Sequence, residues 1–236
     1  MLASRPFAWF DVGQSNLKKG FFKHFFIFRY HVNMLAQIVS TILLGLIRLL
    51  TGSQARWHGC PPKAEQRIYF ANHQSNADLV MIWAALPKEL RSVTRAAAAK
   101  DYWTKTPLRQ WITTKVFNVV YVVRDRSEAE DPLLPLMQAL DSGDSIIIFP
   151  EGMRGQQQDP LPFKSGLYNL ALKFPHVVLI PTWINNIQRV MPKGEYVPVP
   201  VLCSVTFGAP MQVEDGEDRR AFLDRARQAV MDLREV

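Results

Sequence analysis

Cysteine is scarce in this chain: Cys60 and Cys203 are its only two thiols in 236 residues, and they stand too far apart for a ligand or redox spacing. That excludes a disulfide scaffold and a cysteine-built zinc site, and it fits a reducing, cytosol-facing location. Histidine offers no metal site either, because His24, His31, His58 and His176 keep no ligand spacing with His73. Internal repeats and low-complexity tracts are missing, the run Gln156-Gln157-Gln158 being too short to count. So are zinc-finger, RNP-like and basic-zipper patterns, which removes nucleic acid from the expected partners. Residues 1–20 carry no usable motif and lack the small-residue cleavage site of a signal peptide.

What the chain does have is apolar mass and positive charge. At 48% hydrophobic it can bury a substantial core, as one large or two modest domains. Twenty-eight Lys and Arg against 21 Asp and Glu give a formal net charge of +7, which calls for an acidic partner: anionic lipid, a phosphorylated substrate or an acidic carrier protein.

Near the N-terminus, Phe21-Phe22-Lys23-His24-Phe25-Phe26-Ile27-Phe28-Arg29-Tyr30 interleaves aromatic and basic residues, the mixture favoured at a membrane–water interface. The uncharged run Val32 to Ile47 is 16 residues long, short of the ~20 that a spanning helix needs. Asn33, Gln37 and Thr41 recur every four positions and Arg48 falls seven beyond, so they form one polar stripe, with Ile38, Leu43, Leu46 and Leu50 elsewhere around the helix. That pattern predicts an amphipathic helix lying in one leaflet, ended by Thr51-Gly52-Ser53; packing on the chain's own domain and true spanning are the alternatives. The expected organisation is a membrane-associating helical segment over 1–54 and an α/β domain over 55–236.

In the second part short apolar strands alternate with helical stretches, predicting a mixed central sheet flanked by helices. Strands are expected at 67–71, 92–97, 116–123, 145–149, 176–183 and 202–207. Helices are expected at 77–86, 106–115, 132–141, 166–174 and 219–234, with Gly143 stopping the third.

Two turns carry the chemistry. The first, Asn72-His73-Gln74-Ser75-Asn76-Ala77-Asp78, leaves the apolar run 67–71 and opens a helix. An imidazole titrates near neutrality and can take a proton from an alcohol if a partner fixes its tautomer, and Asp78 is near enough to do so. The bland reading is a turn in which Asn72, Ser75 and Asn76 cap the helix. The second turn, Phe149-Pro150-Glu151-Gly152-Met153-Arg154-Gly155, follows Ile146-Ile147-Ile148. Arg154 offers a planar fork of donors suited to phosphate, and the glycines let a ligand approach the backbone; otherwise Glu151 and Arg154 are a solvated salt pair. Lys100, Arg124 and Lys164 add positive charge at edges of the predicted core.

Together these residues resemble the glycerolipid acyltransferases typified by 1-acylglycerol-3-phosphate (lysophosphatidic acid) acyltransferase, over roughly Arg67 to Pro210. Asn72-His73 with Asp78 matches that family's NHxxxxD block, and Phe149-Pro150-Glu151-Gly152 with Arg154 matches its FPEGTR block. Ala99-Lys100-Asp101 and Val122-Val123-Arg124 resemble further family segments, as do Phe163-Lys164-Ser165-Gly166 and Val178-Leu179-Ile180-Pro181. Met153 replaces the usual threonine, Gly155 the usual serine, and Asn118 stands close to where the second block would carry a glycine.

The resemblance implies transfer of a fatty acyl group from acyl-CoA or an acyl carrier protein to the free hydroxyl of a lysophospholipid, with no other cofactor. His73 would be the general base and Asp78 its orienting carboxylate, with Ser75 a helix cap rather than a nucleophile. Arg154, Lys100 and Arg124 would hold the acceptor phosphate, with Glu151 fixing Arg154 or contacting the glycerol, and backbone N–H groups near Gly152 would serve the oxyanion. The implied setting is a phospholipid surface on the cytoplasmic face, the inner membrane if the source is bacterial. Competing expectations are another lysolipid or aminolipid acceptor, and a membrane-binding protein without activity.

Overall fold

The structure is a computed structural model and describes residues 34–52, 54–75, 77–123, 131–155, 157–185 and 202–235. Helix α1 (Met34–Thr51) precedes strand β1 (Gln54–Trp57) and strand β2 (Arg67–Ala71). Helices α2 (Asp78–Ala85) and α3 (Lys88–Ser92) lead to β3 (Thr94–Ala99), then come α4 (Lys100–Trp103), α5 (Pro107–Trp111) and a π-helical turn (Ile112–Val116). The chain goes on through β4 (Val120–Val122), α6 (Leu134–Asp141), β5 (Ser145–Ile148), α7 (Gly166–Lys173), β6 (Val178–Asn185), β7 (Ser204–Phe207) and α8 (Arg219–Asp232).

The seven strands form one sheet in the order β1-β7-β6-β2-β5-β3-β4. Pairing is parallel throughout except between β6 and β7, so the mixed sheet flanked by helices expected from the alternation is present. β2 lies between β5 and β6, is buried along its whole length, and reads as the continuous apolar run of a strand covered on both faces. Its side chains divide by parity. Ile68 and Phe70 meet the layer of α6, α7 and α8, whereas Tyr69 and Ala71 meet α2 and, behind it, α1.

α2 is apolar nearly all round, and seven of its eight residues are buried between α1 and the sheet. α1 has three faces. Ala36, Val39, Leu43 and Ile47 pack on the domain, Gln37, Thr41 and Arg48 form the expected polar stripe in solvent, and Leu35, Ile38, Ile42, Leu46 and Leu49 make an exposed apolar stripe along its length. Its last turn closes on the bond from the Gly52 N–H to the Arg48 carbonyl. Asn33 and the aromatic–basic stretch 21–30 lie outside the described residues, and the 54/55 division falls inside β1.

Several boundaries moved for identifiable reasons. The helix expected over 106–115 stops at Trp111 and widens into the π-helical turn, where the Thr113 and Thr114 hydroxyls donate back to carbonyls one turn earlier and loosen the α-ladder. That turn consumes the beginning of the strand expected over 116–123, leaving three residues of β4. The strand expected over 92–97 runs instead over 94–99 and so ends at Lys100. β1 and the single-turn helices α3 and α4 escape a periodicity reading because they are only four or five residues long. Gly143 does end α6, its φ of +82° lying in the left-handed region, with its N–H on the Leu140 carbonyl.

Candidate active site

The carboxyl ends of β2, β3 and β5 come out at one edge of the sheet, the place where open parallel sheets collect their ligands. Asn72 continues β2 by one further step. It is fully buried, and its side-chain amide accepts the Ile184 N–H at 2.8 Å and donates to the Ile184 carbonyl at 3.2 Å. This imitates one more rung toward β6 and fixes the direction in which His73 leaves the sheet.

The His73 ring stacks on Phe149, centroids 4.4 Å apart and planes at 20°, and its Nδ1 lies 2.8 Å from Asp78 Oδ2. The same oxygen accepts the N–H groups of Gln74 at 2.7 Å and Ser75 at 2.8 Å. Asp78 is fully buried while the His73 side chain keeps 16% of its surface. Asp78 Oδ1 is buried without a hydrogen-bond partner among the described residues, so the donors are concentrated on the oxygen that faces the imidazole. An ionised carboxylate only accepts, so the pairing assigns the ring proton to Nδ1 and leaves Nε2 with a free lone pair.

Glu151 is buried and holds the two turns together. Its Oε1 accepts the His73 N–H at 2.6 Å and its Oε2 the Leu161 N–H at 2.8 Å. Burial raises its carboxyl above the ordinary carboxylate value, against the opposing pull of those two amides. From the other side the Gly155 N–H donates to the His73 carbonyl at 2.8 Å, so both backbone groups of His73 are held by the second turn. The expected pairing of Glu151 with Arg154 is absent. Gly152, at φ +70°, reverses the chain between them, sending the carboxylate inward and the guanidinium to solvent.

Arg154 and Lys100 are exposed, and among the described residues neither has a carboxylate partner. Arg124 lies outside the described residues. Lys164 comes closer than its place in the sequence suggests: a Cβ on Gly152 would stand 2.6 Å from its Nζ. Neither that approach nor the stacking of Phe149 on His73 has a signature in spacing; only the resemblance set Phe149 and Lys164 beside the motifs. The Gly152 N–H is committed to the Phe149 carbonyl and that of Gly155 to His73, so neither is a free oxyanion donor.

Ser75 stands two residues before the N-cap of α2, Ala77, and its hydroxyl accepts the Ala77 N–H at 3.2 Å inside the turn; Asp78 accepts the amides of Gln74 and Ser75, which precede the helix, and so ties the turn together without capping α2. Asn118 has φ +49°, the left-handed conformation that glycine adopts without cost and asparagine tolerates best among the rest. Asn118, close to where the second block would carry a glycine, thus takes a backbone conformation open to glycine.

The sequence profile described as Acyltransferase matches residues 57–185, over half of the chain and including both turns. The chain belongs to the Acyltransferase family. Within it, the 1-acyl-sn-glycerol-3-phosphate acyltransferase of Limnanthes douglasii is 25% identical over 186 residues, which are 77% of this chain and 63% of the relative. The human 1-acyl-sn-glycerol-3-phosphate acyltransferase alpha is 27% identical over 199 residues, 82% of this chain and 68% of the relative. The chain therefore spans less than two thirds of the plant protein's length. Among solved structures, the 1-acyl-sn-glycerophosphate (LPA) acyltransferase PlsC from Thermotoga maritima shares the fold of this Acyltransferase member, with a TM-score of 0.64 over 90% of this chain and 87% of its own, at 19% identity.

Proposed function

We propose that this Acyltransferase member moves a fatty acyl group from a thioester to the free hydroxyl of 1-acylglycerol-3-phosphate, giving phosphatidic acid. The observation that carries the reading is the His73–Asp78 pair at 2.8 Å, positioned by the second turn through Phe149, Glu151 and Gly155. His73 Nε2 takes the hydroxyl proton as the acceptor oxygen attacks the thioester carbonyl. The tetrahedral intermediate collapses with cleavage of the C–S bond, and the imidazolium returns its proton to the departing thiolate. Asp78 holds the tautomer and stabilises the imidazolium, so no covalent acyl-enzyme is needed. Arg154 and Lys100, exposed and without carboxylate partners among the described residues, receive the acceptor phosphate; Arg124 has the same proposed role from the family pattern. Glu151 supports the site by holding the His73 backbone rather than by touching the acceptor. The names of the relatives support this acceptor.

The setting is a membrane surface, on its cytoplasmic face. α1 is long and apolar enough to cross a bilayer, with a mean hydropathy of 1.9 over 18 residues. Its inner face packs on the domain through Ala36, Val39, Leu43 and Ile47, a contact that favours a helix lying along the surface over one threading the hydrocarbon core. The exposed stripe from Leu35 to Leu49 suits insertion into one leaflet, each half-exposed Leu or Ile gaining roughly 1 kcal/mol. A panel of lysolipids with different headgroups, acylated from both acyl-CoA and acyl carrier protein, tests the reading. Preference for 1-acylglycerol-3-phosphate from either donor is expected. Absence of transfer to any lysolipid overturns it, and preference for a neutral or amino-bearing acceptor overturns the assignment of the phosphate.

A further inference from the structure

We propose that Arg227 and Arg234 are positioning residues for His73: from α8 and the 3-10 turn that ends it (Leu233–Glu235) they hold the connection 157–161, and through it Glu151, against the backbone of the base. This rests on the acyl-transfer reading given above, in which His73 takes the hydroxyl proton. The connection contains no helix or strand, and among the described residues none of its backbone groups bonds to another backbone group. Its shape is therefore set by side chains that reach it from elsewhere. At its end the Leu161 N–H donates to Glu151 Oε2 at 2.8 Å, and the other oxygen of that carboxylate accepts the His73 N–H. Near its start the Gln74 side-chain amide donates to the carbonyls of Gln157 and Gln158 at 3.2 and 3.4 Å. Both attachments lead to the first turn, one to His73 and one to its neighbour.

The rest of the hold comes from the C-terminal helix. Positions 227 and 234 are seven apart, close to two turns, and so lie on one face. Arg227 Nε donates to the Pro160 carbonyl at 2.8 Å, and Arg234 Nη2 donates to Asp159 Oδ1 at 2.6 Å and to the Gln158 carbonyl at 3.2 Å. The Arg234 guanidinium lies over the ring of Trp183 at 4.9 Å, and that ring is buried on β6, which gives the cation a fixed seat. α8 is anchored in turn by the buried Phe222, Leu223, Ala226 and Val230. Three successive residues of an otherwise unsupported segment are thus tied to a packed helix, and the next residue is Leu161. The Arg234–Asp159 pair, 34% and 56% exposed, contributes little to global stability, so its consequence is placement rather than folding. If Leu161 moves, Glu151 loses one of its two amides and His73 loses its fixed backbone, and a displacement of about 1 Å at a reacting group costs up to a hundredfold in rate.

The test is Arg227→Ala combined with Arg234→Ala in the full chain. Arg225→Ala is the control, because Arg225 on the same helix binds Glu214 and Glu217 instead. The double variant should lose about ten- to thirtyfold in kcat, with KM within about twofold and Tm only slightly lower. The control should lower Tm at least as much and keep its kcat. Arg227→Lys, which can still donate to the Pro160 carbonyl, should keep most of the kcat that Arg227→Ala loses. Asp159→Ala, a truncation at an exposed residue, should reproduce the loss of Arg234→Ala, and the two together should lose no more than either alone. Without turnover, the His73 Nδ1 proton in the NMR spectrum of imidazole-labelled protein should shift or broaden in the double variant and stay in place in the control. Unchanged kcat, an unchanged Nδ1 signal, or an equal kcat loss in Arg225→Ala overturns the proposal. Because the NMR signal needs no substrate, a native chain that transfers no acyl group defeats the acyl-transfer reading while the positioning of His73 is still decided by that signal.

Discussion

The two turns that meet at His73 differ in how far their polar groups are committed. In the first, the Asn72 amide is bound to Ile184 and the His73 ring and the amides of Gln74 and Ser75 converge on Asp78. In the second, Glu151 is committed inward, but Arg154 stands in solvent without a carboxylate partner among the described residues. Under the proposed reaction, the groups that hold the proton-transfer geometry are fixed before substrate arrives, and the group that receives the phosphate stays open until it does. The departures from the family pattern at Met153 and Gly155 fall in the second turn, next to the open group.

The sharpest way to break this division is Asp78→Asn, which keeps the shape but removes the charge proposed to stabilise the imidazolium. Turnover should fall about a thousandfold with little change in KM, measured with a labelled acyl thioester. Arg154→Ala should act in the opposite sense, raising KM for 1-acylglycerol-3-phosphate by roughly ten- to a hundredfold while kcat stays within a few-fold. A kcat loss as large as that of Asp78→Asn would erase the distinction between the turns.

A smaller effect joins the two halves. Glu151 has a raised carboxyl pKa in the fold, so the native state holds that proton more readily than the unfolded chain does. Its contribution to stability is therefore present below the ordinary value of 4.5 and declines as pH rises through the raised one. Glu151→Gln should remove that decline from the profile of Tm against pH, and lower stability by about 1 kcal/mol by losing one amide acceptor. A variant with the same slope would show that the carboxyl is not the titrating group. Smallest of all is the response of the thiols. Burial pushes Cys203 up to about 11 and raises Cys60 as well, so little thiolate exists at neutral pH, and alkylation should be slow until denaturant is added.

Much of this was legible from residues alone. The apolar run 67–71 and the turn after it announced β2 and the place of the proposed base, because a strand buried on both faces leaves a continuous apolar signature. Less legible was what Glu151 does, since a carboxylate next to a turn arginine looks like a salt pair until Gly152 turns the two apart. The third face of α1 was also hidden. Period alone separates polar from apolar positions, but it cannot say which apolar stripe the domain covers and which it leaves bare. The π-helical turn was equally opaque, because five residues are too few for their pattern to tell a widened turn from the α-helix it continues.

The proposed role of His73 as the base is tested most directly by the kcat of a folded His73→Ala variant with 1-acylglycerol-3-phosphate and a labelled thioester. With circular dichroism and Tm near those of the native protein, kcat should fall by about a thousandfold or more while KM is unchanged. A folded His73→Ala enzyme that keeps its turnover and loses only acceptor affinity would contradict it.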